Sequence, residues 1–105
     1  MAWVYLLLAG VCEIGWPLGL KLGWNDKGLQ PGWIVLAVVA MTASGALLML
    51  AQRVIPMGTA YGVWTGIGAV GAFVVGILLF GDAASPMRIV SILLIVAGIV
   101  GLKMA

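Results

Sequence analysis

The sequence predicts an all-α integral membrane protein with four transmembrane helices in one domain, residues 1–105. Three observations carry that prediction. Apolar residues make up 65% of the chain and charged residues only 8%, whereas soluble domains run about 45–50% apolar and about 25% charged. Residues 28–52, 54–81 and 89–102 contain no charge at all. The length also fits: a membrane helix takes about 20 residues, so four take about 80 and leave about 25 for three turns and two tails.

The charges and the turn residues mark the helices in order. The first is expected over about 2–21. It lacks the basic start and small-residue cleavage site of a leader and carries Glu13 at its middle, so it reads as a span. The polar run Gly23-Trp24-Asn25-Asp26-Lys27-Gly28 follows as a loop. Pro31 then opens a second helix, expected over about 32–53. Ile55-Pro56-Met57-Gly58 joins it to a third over about 58–80. Gly81 to Pro86 leads into the fourth, about 86–104, with Ser85 suited to the N-cap and Pro86 to the first helical position. Arg88 and Lys103 complete that last span by snorkelling to the interfaces. Links this short make successive helices antiparallel neighbours. Trp3, Trp24 and Trp33 fall at span ends, as interfacial tryptophans do. Trp16 and Trp64 fall inside spans and need another reason.

Four spans put both termini on one side, with Arg53 and Lys103. Lys21, Lys27 and Arg88 lie on the other, so Lys and Arg divide two against three. Orientation follows that bias, and a bias of one is nearly none. Either a subtler signal sets the orientation or the chain inserts both ways. Alternating-access transporters are commonly built from inverted repeats. This chain contains no inverted or direct repeat, and four helices barely enclose a pathway. An antiparallel pair of identical chains would supply the missing half.

Composition excludes whole classes of function. Histidine is absent and Cys12 is the single cysteine. Zinc and haem centres, the Ser-His-Asp triad and the Cys-His pair therefore lack their ligands or bases. We expect no enzyme, no catalytic residues, no metal and no cofactor. A net charge of +2 spread over separate loops is no nucleic-acid footprint, and no phosphate-binding Gly-rich loop is present.

Glu13 is the informative charge. It lies at mid-span, with Lys21 two turns away as the nearest base in sequence. An ionised acid at the bilayer centre costs roughly 2.5–3.5 kcal/mol on insertion scales. Desolvation favours the neutral carboxyl form, so such a group can trade a proton for a cation. The plainer alternative is a structural acid paired with a base. Gly10, Trp16 and Pro17 share its face at i−3, i+3 and i+4. Pro17 also removes the hydrogen bond to the carbonyl of Glu13, which serves either a cavity or a packing kink.

On the third helix, Tyr61, Trp64 and Thr65 share one side. Tyr61 can hydrogen-bond a carboxylate, and Trp64 can stack on a planar cation or donate its N–H. Packing aromatics are the plain alternative. Gly58, Gly62 and Gly66, and again Gly68, Ala72 and Gly76, repeat at spacing four and allow close helix approach. On the second helix, Ser44 is a candidate supporting partner for Glu13, or else a hydroxyl satisfied by its own backbone. The fourth helix holds no interior ionisable group and reads as a packing and dimerisation element.

The mid-helix Glu13 with Trp16, the run Gly58 to Ala72, and the ending Gly98-Ile99-Val100-Gly101-Leu102-Lys103 resemble the small multidrug resistance family, most closely its guanidinium-exporter subtype. The resemblance covers essentially the whole chain. It implies a multi-pass protein of the bacterial inner membrane. The implied working unit is an antiparallel, dual-topology homodimer that exchanges a guanidinium-type cation for protons at two shared copies of Glu13. By the same resemblance Trp16 lines the site, and Ser44, Tyr61 and Trp64 hydrogen-bond or orient the glutamates. Gly66 and Gly68 match the bend of the third helix. Ser91, Leu94, Ile95 and Gly98 match the fourth-helix dimer interface. The chain departs from the family pattern in a first loop about two residues longer, in Gly15 and Pro17, and in Gly45. Gly45 replaces a bulkier residue and would widen a portal beside Ser44 for substituted guanidinium ions. A broad quaternary-ammonium exporter is the alternative within the family.

Overall fold

A computed structural model describes all residues 1–105. The chain runs α1 (Ala2–Gly23), β1 (Trp24–Asn25), β2 (Gly28–Leu29), α2 (Pro31–Ala51), α3 (Met57–Phe80) and α4 (Pro86–Met104). All four helices are long and apolar enough to cross a membrane. Pro31 and Pro86 both stand in the first turn of their helices, and the Ser85 hydroxyl accepts from the Arg88 N–H at 3.4 Å. At the end of α3, Gly81 turns left-handed at φ 66°, and the Asp82 N–H reaches back to the Gly76 carbonyl at 3.1 Å. The Gly81 and Asp82 N–H groups thus both close on the Gly76 carbonyl.

α1 runs on to Gly23, past its expected end near 21, and two other places differ from the sequence expectation. α2 ends at Ala51, and residues 52–54 continue as turns, the Arg53 and Val54 N–H groups donating to the carbonyls of Leu50 and Ala51. The first loop pairs with itself: Trp24 faces Leu29 and Asn25 faces Gly28 in an antiparallel ladder. Asn25 Oδ1 accepts from the Lys27 N–H at 2.9 Å, and Gly28 takes φ 96°. A two-residue ladder has no hydrophobic period by which to announce itself; its role is to satisfy backbone groups where the chain turns.

Small residues determine how closely the helices meet. α1 lies on α2 where Gly15 faces Ala40 and Gly19 faces Ala37 and the Trp33 carbonyl. α1 lies on α3 where Gly10 receives Ile67 and Gly71 receives Ile14. α4 rests on α3, with Ile95 and Ile99 over Gly66 and Leu102 over Gly62. The core of Leu6, Ala9, Leu48, Ala51, Ile55, Ala60 and Val63 gathers toward the end that carries the termini. There the Lys103 ammonium sits 4.9 Å from the centre of the Trp3 ring.

The Cα envelope measures 46 × 34 × 16 Å. A helix with its side chains is about 10–12 Å across, so the four helices spread into a slab instead of closing a bundle. No residue of α4 is buried.

Candidate functional site

Glu13 and Trp16, one turn apart on α1, face the same way, and the indole Nε1–H donates to Glu13 Oε1. Trp16 is thereby held by its polar atom, which accounts for a tryptophan far from the interface. The Glu13 side chain lies across Gly68 of α3, where a Cβ would stand only 2.6 Å from the Glu13 Cγ. The two helices meet here because α3 offers backbone instead of a side chain.

A cleft of about 220 Å³ opens beside the carboxylate, lined by Glu13, Trp16 and Pro17 from α1 and by Thr65, Gly68, Ala69 and Ala72 from α3. The one side chain that bonds to Glu13 is the Trp16 indole. The second carboxylate oxygen thus has no side-chain donor within this chain. Such an arrangement suits a cation that carries N–H donors and a flat face. Pro17 lies within α1 without ending it, and it leaves the Glu13 carbonyl without an intrahelical donor.

The remaining candidates form a second group, one turn nearer the termini. Ser44 is fully buried. Its hydroxyl donates to the Ala9 carbonyl at 2.7 Å and accepts from Trp64 Nε1–H at 2.7 Å. Tyr61 meets Trp64 edge-on, with ring centres 5.4 Å apart, and is itself more than half exposed. A relay therefore runs from α3 through α2 to the turn of α1 just before Glu13. Ser44 reaches that turn through the backbone of Ala9 and not through the carboxylate. Replacing Ser44 with Ala leaves a half-buried indole N–H without its acceptor, which costs about 1 kcal/mol. We expect a lower thermal unfolding midpoint in detergent; an unchanged midpoint would mean that Trp64 finds another acceptor.

The two glycines matched to the helix bend are both buried at contacts, Gly66 under α4 and Gly68 under Glu13. Among the α4 candidates, Ile95 packs inward on Gly66, while Ser91, Leu94 and Gly98 are exposed. The Ser91 hydroxyl is satisfied by the Met87 carbonyl at 2.8 Å. Thr65, Ala69 and Ala72 line the cleft without having been singled out as site residues. Their signal was spacing: with Tyr61 and Gly68 they recur at three and four residues along one face of α3.

A family model described as Small Multidrug Resistance protein matches residues 1–95. The guanidinium exporter of Citrobacter freundii is 51% identical over 105 residues, covering all of this chain and 98% of that protein. The guanidinium exporter of Salmonella typhimurium is likewise 51% identical over the same span, with 98% of its own length covered. That of Escherichia coli strain K12 is 50% identical with the same coverage. These relatives are exporters and not enzymes. Four apolar spans, an acid inside the first of them, and a match running through most of the chain lead to one conclusion: this chain belongs to the small multidrug resistance family, as a multi-pass membrane protein.

Proposed function

We propose that the protein is a proton-coupled exporter of guanidinium and small substituted guanidinium ions in the bacterial inner membrane. The observation that carries this reading is the Glu13 carboxylate, held by Trp16 within a span and facing a cleft. The names of its relatives support the choice of cation. Guanidinium is planar, with N–H donors on its edges, so two carboxylates can hold it between them. The working unit is an antiparallel homodimer in which two copies of Glu13 share one site. The slab shape and an α4 with no buried residue support a second copy. Two acids in one site titrate as a pair, and each cation displaces protons that return as the dimer changes face. Gly66 and Gly68 give α3 the freedom to bend. Gly45 is exposed, with nothing within 4 Å of where its Cβ would stand, which favours a portal open to substituted guanidinium ions.

Proton and cation compete for the same carboxylates, so guanidinium binding weakens as pH falls. Apparent affinity falls up to about tenfold per pH unit for each proton displaced, hence up to about a hundredfold where both acids are protonated; toward high pH it levels off. Titrating tryptophan fluorescence with guanidinium at several pH values checks this, and an affinity independent of pH would sink the exchange. The same titration with a bulky alkylammonium tests substrate class, since equal competition at one site would instead make the protein a broad quaternary-ammonium exporter.

A further inference from the structure

A second cavity, of about 130 Å³, continues the α1–α3 seam beyond the Glu13 cleft. Pro17 and Ala72 line both, so they form the neck between them. From α1 the seam presents Glu13, Pro17 and Lys21 at spacing four; from α3 it presents Gly68, Ala72, Gly76 and Phe80 at the same spacing. The wall on the α3 side is thus built mainly of small residues, with Thr65 and Val75 the larger side chains before Phe80. At the outer end, the Lys21 ammonium stands 4.6 Å from the centre of the Phe80 ring. The Asp82 carboxylate lies directly over Gly76, where a Cβ would collide with Oδ2. The left-handed turn at Gly81 and the bond from the Asp82 N–H to the Gly76 carbonyl put it there.

The mouth thus repeats the chemistry of the inner site. Inside, a carboxylate is paired with the indole of Trp16; outside, a carboxylate and the Phe80 ring line one cavity. The ring face has a resident cation, the ammonium of Lys21, which shares the cavity with Asp82 but forms no ion pair with it. We propose that Asp82 and Phe80 form an outer waiting site for the transported cation on its route to Glu13, and that Lys21 fills this site at rest and swings away when a cation arrives. The proposal rests on the export reading above. It assigns Asp82 and Phe80 to attracting the cation and Lys21 to competing with it, with none of the three touching the inner site. A planar guanidinium ion can lie on the Phe80 face while its edge donates to Asp82. A carboxylate at a narrow mouth raises the local concentration of cations and hence the rate of capture.

The test uses the full chain in proteoliposomes, with guanidinium-driven currents measured over a range of concentrations. Equilibrium guanidinium binding, read by tryptophan fluorescence, is measured beside them. Asp82→Asn and Phe80→Leu are each expected to lower the current at subsaturating guanidinium about threefold to tenfold, while the saturating current and equilibrium affinity stay within about twofold. Lys21→Gln should raise the subsaturating current, and adding Asp82→Asn should cancel that gain. Asp82→Glu, which keeps the charge, should keep the capture rate and so separates loss of charge from damage to the turn. The proposal is overturned if Asp82→Asn leaves the subsaturating current unchanged, or if Lys21→Gln gives the same gain with and without the Asp82 carboxylate. An unmodified chain that binds and moves guanidinium while all these variants behave alike removes the outer site alone. An unmodified chain that neither binds nor moves guanidinium removes the export reading, and the outer site with it.

Discussion

Glu13→Gln is expected to abolish guanidinium binding. The substitution keeps the shape of the side chain and removes its charge. Trp16 still finds an oxygen acceptor in the amide, so the local fold of α1 should survive. What disappears is the counter-charge for a cation in a poorly hydrated site. Removing one partner of a buried, hydrogen-bonded charge pair costs about 2–5 kcal/mol or more, roughly thirtyfold to several thousandfold in affinity. The proton goes with it, because an amide does not titrate. The variant should therefore lose cation binding and its pH dependence together, with an unfolding midpoint at or above that of the parent. Isothermal titration in detergent checks the first and thermal unfolding the second. Binding that survives with its pH dependence intact would place the exchange on another group.

Gly68→Ala should be the most damaging single methyl in the protein for binding. A Cβ there would stand 2.6 Å from the Glu13 Cγ and 3.3 Å from its Cβ, and neither atom lies at the free end of the side chain. Either the carboxylate leaves its position beside Trp16 or α1 and α3 move apart. Overpacking of this kind costs about 1–3 kcal/mol. We expect guanidinium affinity to fall about tenfold, the share of that cost borne by the bound state. The Glu13–Trp16 hydrogen bond should also loosen, visible as a red shift of tryptophan emission. Gly32→Ala is the matched control, because nothing lies within 4 Å of its Cβ position. If both variants bind alike, the close approach at Gly68 does not position the carboxylate.

Much of the fold was legible because charges and prolines punctuate the chain. Ser85 and Pro86 mark the start of α4 by capping chemistry, and the structure forms that cap. The end of α2 was less readable: between Ala51 and Pro56 no breaker separates helix from turn, so periodicity ran on to residue 53. That Glu13 and Trp16 share a face was legible because they stand three residues apart on one helix; the bond between them came from the structure. Ser44 was recognisable as a polar residue requiring a partner. Its actual partners lie 35 residues away at Ala9 and 20 away at Trp64. Those distances are set by helix packing, which a pattern of residue types along one helix does not encode. Ile95 illustrates the same limit. Its neighbours in sequence are alike in character, and only the approach of α4 to Gly66 turns it inward.

The central claim is that the shared Glu13 carboxylates carry cation and proton in exchange. Its most direct test is proton flux through the purified chain, reconstituted alone in vesicles with a pH-sensitive dye inside. An outward guanidinium gradient should draw protons inward and acidify the lumen, and the Glu13→Gln vesicles should stay unchanged. Guanidinium leaving the vesicles with no proton movement, or the same acidification in Glu13→Gln, would contradict the account.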